Sequence, residues 1–403
     1  ITDPATFALA VKMTRIILPA QFFFFSGGLL MAIQFAHEKF WIPALAPLIY
    51  NGLIICGGLI LGPKMGMEGF AWGVLGGAFL GNFLVQLLGA KQTGAVYTPV
   101  LGFCHPDLQK YIKLTLPLML GLTMTFSTEF FLKFFGSFLP QGSIAAMNYD
   151  WRVMNVVVGL FGQAVGVASY PYMARFAQSG QIDALNQLLN QTLKFIFLVI
   201  PLGIMISVLS HEIILILFQR GQFDAHATRI TQEILPFFMV GAFAFSAQTI
   251  VSRGYYAIQN TLLPTVLTSG CVILALPITY GLMRGFGAKG LAAGLCLSAV
   301  LQSVVLFECW SRQSRNSDKA QVYLFLLKLL PITAGIGLIL YFSAQIWRRV
   351  FDAMTFGGAL AVCILIGLEF LLIFYITGRI FQIHQILTIF ENICKRGVSW
   401  IHR

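Results

Sequence analysis

The sequence is short of charge. Lys, Arg, Asp and Glu make up 10% of its 403 residues, against about 25% in an average soluble domain. The seven cysteines (Cys56, Cys104, Cys271, Cys296, Cys309, Cys363, Cys394) form no CxxC pair, and the six histidines show no metal spacing. The cysteines therefore read as small apolar residues, and neither a metal nor a cofactor is expected. The phosphate-cradling glycine loop, the GxSxG elbow and the HExxH helix are all missing, which excludes the chemistries those motifs carry. Strand-type alternation is missing too, which excludes a membrane barrel.

What is present is apolar: 58% of residues are hydrophobic and the mean hydropathy is +0.81. Runs of about 20 apolar residues, enough to cross a bilayer as helix, recur along the chain. They predict an all-α polytopic membrane protein with eleven spans: 9–36, 41–62, 69–90, 112–139, 143–176, 186–209, 228–257, 261–284, 288–310, 322–346 and 355–378. The net charge of +11 would suggest nucleic acid in a soluble protein. Here it reads as loop Lys and Arg facing the cytoplasm and anionic lipid, and no nucleic-acid partner is expected. With the C-terminus inside, cytoplasmic segments carry the excess, including Lys39, Lys91, Lys110, Lys113, Arg253, Arg312 and Arg315. The tail 379–403 mixes Arg379, Lys395 and Arg396 with Phe381, Leu387 and Trp400, the pattern of an amphipathic helix on the membrane surface.

An odd number of spans puts Ile1 outside, although no signal peptide precedes it. An internal repeat accounts for this. Ile17-Leu18-Pro19 recurs as Ile234-Leu235-Pro236, Pro47 as Pro264, and Gly66-x-x-Gly69-x-Ala-x-Gly73 as Gly287-x-x-Gly290-x-Ala-x-Gly294. Spans one to three thus match spans seven to nine in order. Partners for spans four to six would precede span one, so three further N-terminal helices are expected. Repeated bundles around a central site are an architecture of secondary transporters.

The best functional lead is the stretch 143–177. It is apolar enough to span, yet carries Asp150 and Arg152, and charge at that depth faces a protein interior or a watery cavity. The preceding span carries Glu129 and Lys133 and ends at the Pro140-Gln141-Gly142 turn. A hairpin there is expected to bring Lys133, Asp150 and Arg152 to one depth. Two readings stay open. Either the four charges neutralise each other, Glu129 with Lys133 and Asp150 with Arg152, or they line a hydrated cavity for an anionic head group, where the planar guanidinium suits phosphate. Glu308 reads as snorkelling to water, and Glu369 lies mid-span with no partner that the sequence identifies.

At these stretches the sequence resembles the MurJ (MviN) family, the lipid II flippases of the MOP transporter superfamily. The segments are FWIPALAPLIYN (40–51), GMEGFAWGVLGG (66–77), SFLPQGSIAAMNYDWR (137–152) leading to Pro171 and Arg175, LFQRGQFDAHAT (217–228) and RGYYAIQNTLLPT (253–265). The resemblance implies a fourteen-helix, two-lobe bundle of which this chain holds helices four to fourteen. Residues 1–95 would complete the N-terminal lobe, 96–111 link the lobes, 112–312 form the C-terminal lobe and 320–378 the final two-helix groove, ahead of the basic tail 379–403. Family members alternate between inward- and outward-open states around a cationic central cavity that takes the pyrophosphate and sugar head group, with the lipid tail along the groove, here spans 322–346 and 355–378. Arg152 matches the arginine of the family's YADR-like motif, Lys133 falls where many members carry a basic residue, and Ser143 matches a small polar residue of the turn. The motif here reads Asn148-Tyr149-Asp150-Trp151-Arg152, with its acid shifted by one. The span 261–284 lacks the Asp, Glu and Asn with which some members bind sodium, so sodium coupling is not expected.

The implied function is the movement of undecaprenyl-pyrophosphate-linked peptidoglycan precursor across the bacterial inner membrane, by a non-enzymatic monomer working beside cell-wall synthesis proteins. Arg152 and Lys133 would meet the diphosphate, with Asp150, Glu129 and Ser143 around them. Two alternatives remain. One is another MOP exporter, for an O-antigen-type glycan or for cationic drugs. The other is a membrane enzyme acting on a lipid-linked glycan, for which the longest outer loop, about 210–228, is small.

Overall fold

The computed structural model describes residues 4–37, 39–94, 105–109, 111, 112, 115, 119, 127–383 and 385–387. Most of the expected interlobe linker, the first half of the fourth span and the tail beyond 387 lie outside the described residues. Every regular element among the described residues is helical, and nine helices are long and apolar enough to cross a membrane. The chain divides into two units, Ile1–Leu108 and Gln109–Arg403.

In the first unit α1 (Pro4–Ile17) and α2 (Ala20–Ala36) are separated at Leu18-Pro19, and α3 (Trp41–Ile60) is followed by the short α4 (Gly62–Met65) and α5 (Glu68–Gly77). A π-helical turn (Ala78–Leu84) joins α5 to α6 (Val85–Gln92). The α3–α5 crossing is close because glycines form it: a Cβ on Gly73 would lie 2.6 Å from the Leu53 carbonyl oxygen. Buried Gln34 and Gln86 bond to each other at 3.0 Å, and Lys12 pairs with Glu68 at 2.7 Å.

The second unit begins with α7 (Ser127–Gly136) and α8 (Ser143–Val158), then a π turn (Gly159–Gln163) leading into α9 (Ala164–Gln178). It continues through α10 (Ile182–Ile196), α11 (Val199–Val208), α12 (Ser210–Phe218), α13 (Ala225–Ala257), α14 (Leu262–Gln313), α15 (Lys319–Val350) and α16 (Phe356–Ile380). Asp224 caps α13, accepting the Ala227 amide at 2.8 Å. α14 is two passes, because it turns at Gly287. A Cβ on Gly294 would meet Thr279 and one on Gly290 would meet Leu282, so its two arms run back along each other.

That turn strengthens the internal repeat. Gly287 has φ 60°, ψ −135°, and its counterpart Gly66 has φ 60°, ψ −134°. A side chain is strongly disfavoured there, and only glycine adopts such angles readily. The repeat is looser at the prolines: Pro19 sits at a break between helices, whereas Pro236 lies inside α13. Gly287→Ala is expected to lower stability by about 1–3 kcal/mol, read as an earlier thermal unfolding midpoint in detergent. The same change at Gly285, which is helical and meets nothing within 4 Å, should lower it little.

Large side chains such as Leu274, Phe286, Leu324 and Leu372 stand exposed on the outside. Such a surface suits acyl chains and not water. Inside, one core gathers Leu189, Tyr255, Trp310, Leu329 and Ile366, and another Met147, Met154, Leu235, Phe238 and Leu291. Polar pairs tie the helices. Asn190 and Asn316 exchange bonds of 3.0 and 2.9 Å, and Asn186 accepts from the Trp310 indole at 2.9 Å. Three residues differ from their expected settings. Glu308 is not left to water but accepts from Lys319 at 2.7 Å and Tyr323 at 3.0 Å. Glu369 has partners on α15: the Trp347 indole at 2.8 Å and the Ser343 hydroxyl. Arg348, just beyond the expected span 322–346, lies within α15 and donates to buried Glu212 at 2.6 and 2.8 Å.

Candidate functional site

A cavity of about 670 Å³ opens within the second unit. α13 lines it with Gln248, Thr249, Ser252, Arg253 and Tyr256, a set spaced to form one face of a helix. Its opposite face, with Ile250, Val251 and Tyr255, is buried in the core. α8 contributes Trp151 and Asn155, the π turn Gln163, α9 Tyr170, α7 Glu129, and the two arms of α14 Thr265, Thr268 and Gln302.

Arg253 is the cation of this lining. One Nη donates to the Gln163 side-chain oxygen at 3.1 Å. Its Nε is buried with no hydrogen-bond partner, an unusual state for a guanidinium donor. The side chain fits because residue 166 is glycine: a Cβ there would lie 2.5 Å from Arg253 Nε. The π turn places Gln163, and such turns recur at functional sites. Gln248 donates to Gln302 at 3.0 Å, and Gln302 to Ser298 at 3.1 Å. Trp151 packs edge-on against Phe238 and Phe245, with centroids 5.9 and 5.3 Å away, and its indole points to Glu129 at 3.4 Å.

The expected site residues separate. The α7–α8 hairpin turns at Gly142, φ 92°, and Gly136 packs on Ile144 and Met147. With Glu129 opposite Trp151, this register sets Lys133 level with Met147, about 5–8 Å nearer the turn than Asp150 and Arg152. Lys133, Arg152 and Glu129 are exposed at the protein surface, while Ser143 is buried. Asp150 is fully buried, and both its carboxylate oxygens lack a hydrogen-bond partner. Among the described residues there is no ion pair between Glu129 and Lys133 or between Asp150 and Arg152. Of the five, Glu129 lines the cavity. Arg253, counted from sequence as a loop charge, is the residue that reasoning missed. The signal was available: Gln248, Thr249, Ser252 and Arg253 form a polar stripe just after the mostly apolar run 234–247 of the same helix.

A second, apolar cavity of about 490 Å³ lies between α15 and α16, against Pro331, Ile336, Ile373 and Thr377. At its rim Lys328 donates to the Phe381 carbonyl at 2.8 Å.

Known proteins share this architecture. The chain is 27% identical over 348 residues to a probable lipid II flippase MurJ of Bdellovibrio bacteriovorus, covering 85% of the chain and 65% of the relative. It is 26% identical over 313 residues to the lipid II flippase MurJ of Burkholderia cenocepacia, covering 76% and 60%. The chain thus spans just under two thirds of the length of these relatives. In a Haemophilus influenzae relative, a probable lipid II flippase MurJ, the match is 27% over 412 residues, 91% of the chain and 76% of the relative. Among solved structures, a lipid II flippase MurJ in an inward closed conformation superposes with a TM-score of 0.70 at 22% identity, over 93% of this chain and 76% of that one. An inward-facing multidrug MATE transporter of the MOP superfamily gives 0.63 at 15%, over 77% and 73%. These likenesses show the fold: an all-helical membrane bundle arranged as in those two structures. The family described as "Lipid II flippase MurJ" matches residues 1–361, and this multi-pass membrane chain belongs to it.

Proposed function

We propose that the protein carries a lipid-linked peptidoglycan precursor, lipid II, from the inner to the outer leaflet of the bacterial plasma membrane by alternating access. It works as a monomer beside cell-wall synthesis proteins, with its C-terminus in the cytoplasm. Family membership supports this reading. The observation that carries it is Arg253: a guanidinium with an unspent donor, set in a polar cavity inside an apolar bundle. In hydrocarbon such a group is costly unless the cavity is wet or occupied. A diphosphate supplies both the charge and the planar acceptors a guanidinium fits.

Arg152 and Lys133 stand exposed on the same unit and complete a cationic path for the diphosphate, with Glu129 beside it and Asp150 and Ser143 buried behind it on α8. The apolar cavity between α15 and α16 takes part of the polyprenyl tail. Residues 1–95 act as part of the first lobe and 112–312 as the second, with 320–378 as the tail groove.

The test is rescue of a bacterium depleted of its own lipid II flippase by the full gene. Wild type should restore growth and the externally accessible pool of precursor. Arg152→Ala, at equal membrane abundance, should restore neither. Normal rescue by Arg152→Ala would remove that residue from the path, and failure of the wild type would reject the transport reading.

A further inference from the structure

α8 seals one carboxyl inside the second unit. Asp150 is 0% exposed, and neither of its carboxylate oxygens has a hydrogen-bond partner. On its face of the helix, at i−4, i−3, i+3, i+4 and i+7, stand Ala146, Met147, Val153, Met154 and Val157, all buried. They join Leu235, Phe238 and Leu291 in one apolar core. The charged and titratable groups of the packed elements are engaged elsewhere. Glu129 and Lys133 of α7 are exposed, as is His226 of α13. Glu233 of α13 pairs with Arg229 and with Lys289 of α14. Arg253 lies in the cavity, Arg284 of α14 stacks on Tyr280, and the Cys296 thiol points to the Phe238 carbonyl at 3.8 Å. On α12, Glu212 holds Arg348 and His211 meets Gln232. An ionised carboxylate alone in such a core costs far more than taking up a proton, so Asp150 is the neutral acid in this conformation. A metal cation would need further oxygen ligands, and the apolar neighbours supply none.

The helix that carries Asp150 lies between two joints. It starts at Gly142, φ 92°, and ends at the π turn Gly159–Gln163. The far side of that turn is anchored, because a Cβ on Gly162 would lie 2.9 Å from Ser246 Cα, whereas one on Gly159 would meet nothing within 4 Å. A π turn holds one residue more than the helix around it. Shifting that residue toward Gly142 would turn α8 by about 100°. Trp151 is one residue on from Asp150 and lines the cavity, so one such step, in one sense, brings the carboxyl to where Trp151 now faces.

We infer that Asp150 is a proton-binding site whose occupancy changes during the transport cycle. The carboxyl oxygen holds the proton while α8 keeps this rotation. When α8 turns about the π turn, the carboxyl meets the cavity, the O–H bond breaks, water takes the proton and a carboxylate remains. The inference rests on the transport reading for the cycle and adds a second ligand, the proton, at a site outside the cavity lining.

Full-length protein reconstituted in lipid would be compared with Asp150→Asn, which keeps the size and neutrality of the acid but cannot ionise. Infrared spectra at neutral pH should show a protonated-carboxyl band in wild type that the variant lacks. Adding lipid II should diminish that band and release about one proton per molecule, with no release from the variant. The variant should unfold at the wild-type midpoint and flip lipid II at least tenfold more slowly. A missing band at rest, a band that lipid II leaves unchanged while wild type flips it, or wild-type flipping by Asp150→Asn would overturn the proton site and leave the transport reading standing. Wild type that shows the band but moves no lipid II would overturn the transport reading, and the cycle step with it.

Discussion

Glu212→Ala is expected to destabilise the second unit by about 3–5 kcal/mol, the usual result of removing one partner of a buried ion pair. Glu212 is fully buried in α12 and takes both contacts from the Arg348 fork, which also reaches the Val208 carbonyl at 2.9 Å. The fork is bidentate, so geometry adds to charge. Without Glu212 the guanidinium faces an apolar seam with a single carbonyl for company. The Arg348 side chain is 30% exposed and can find some water, which places the effect toward the lower end of the range. The double change Glu212→Leu with Arg348→Met should recover most of the loss, because no uncompensated charge remains. Thermal unfolding in detergent measures both. A fall of under 1 kcal/mol for Glu212→Ala would mean that the pair contributes no more than a surface bridge. Because Arg348 ends α15 while Glu369 joins α15 to α16, the single mutant should also expose the last two helices to protease before the rest of the unit.

Arg253→Ala is expected to abolish transport with little loss of stability. Its one side-chain bond runs to Gln163 at 3.1 Å, and its Nε has no partner to lose. Hydrogen bonds to a charged group contribute about 1.5–3 kcal/mol each, so the loss of even one contact to a diphosphate weakens binding by roughly tenfold or more. Arg253→Lys keeps the charge but not the fork, and should recover only part of the activity. Flipping assayed in proteoliposomes, with unfolding midpoints measured in parallel, separates the two effects. Full activity in Arg253→Ala would remove the cavity from the transport path.

Much of the fold was legible in the residues because hydropathy is a local sum. Each span is about 20 apolar residues long whatever it packs against, so among the described residues the spanning helices appear close to where the sequence places them. The repeat was legible for a similar reason. Gly66 and Gly287 answer to a backbone angle that glycine alone adopts readily, and that demand is written at one position. Glu369 and Arg348 were visible as charges, but their partners lie on other helices, at Ser343, Trp347 and Glu212. No spacing within one helix could reveal them.

The site shows the same division. The sequence by itself determined that charge enters the second unit and that α13 carries a polar stripe. Only the tertiary structure decided which charges face what. Asp150 and Arg152 are two residues apart and so about 200° apart around the helix. One is sealed in the core without a partner and the other stands at the surface. Helical periodicity says that they must point different ways; which of them goes inward follows the core that Met147 and Met154 of the same helix form with Leu235, Phe238 and Leu291, which arrive from far along the chain. Arg253 reads as a loop charge until Gly166 and Gln163, about ninety residues earlier, are brought against it. Burial and cavity walls are properties of surfaces in contact, and the chain order of residues does not contain them.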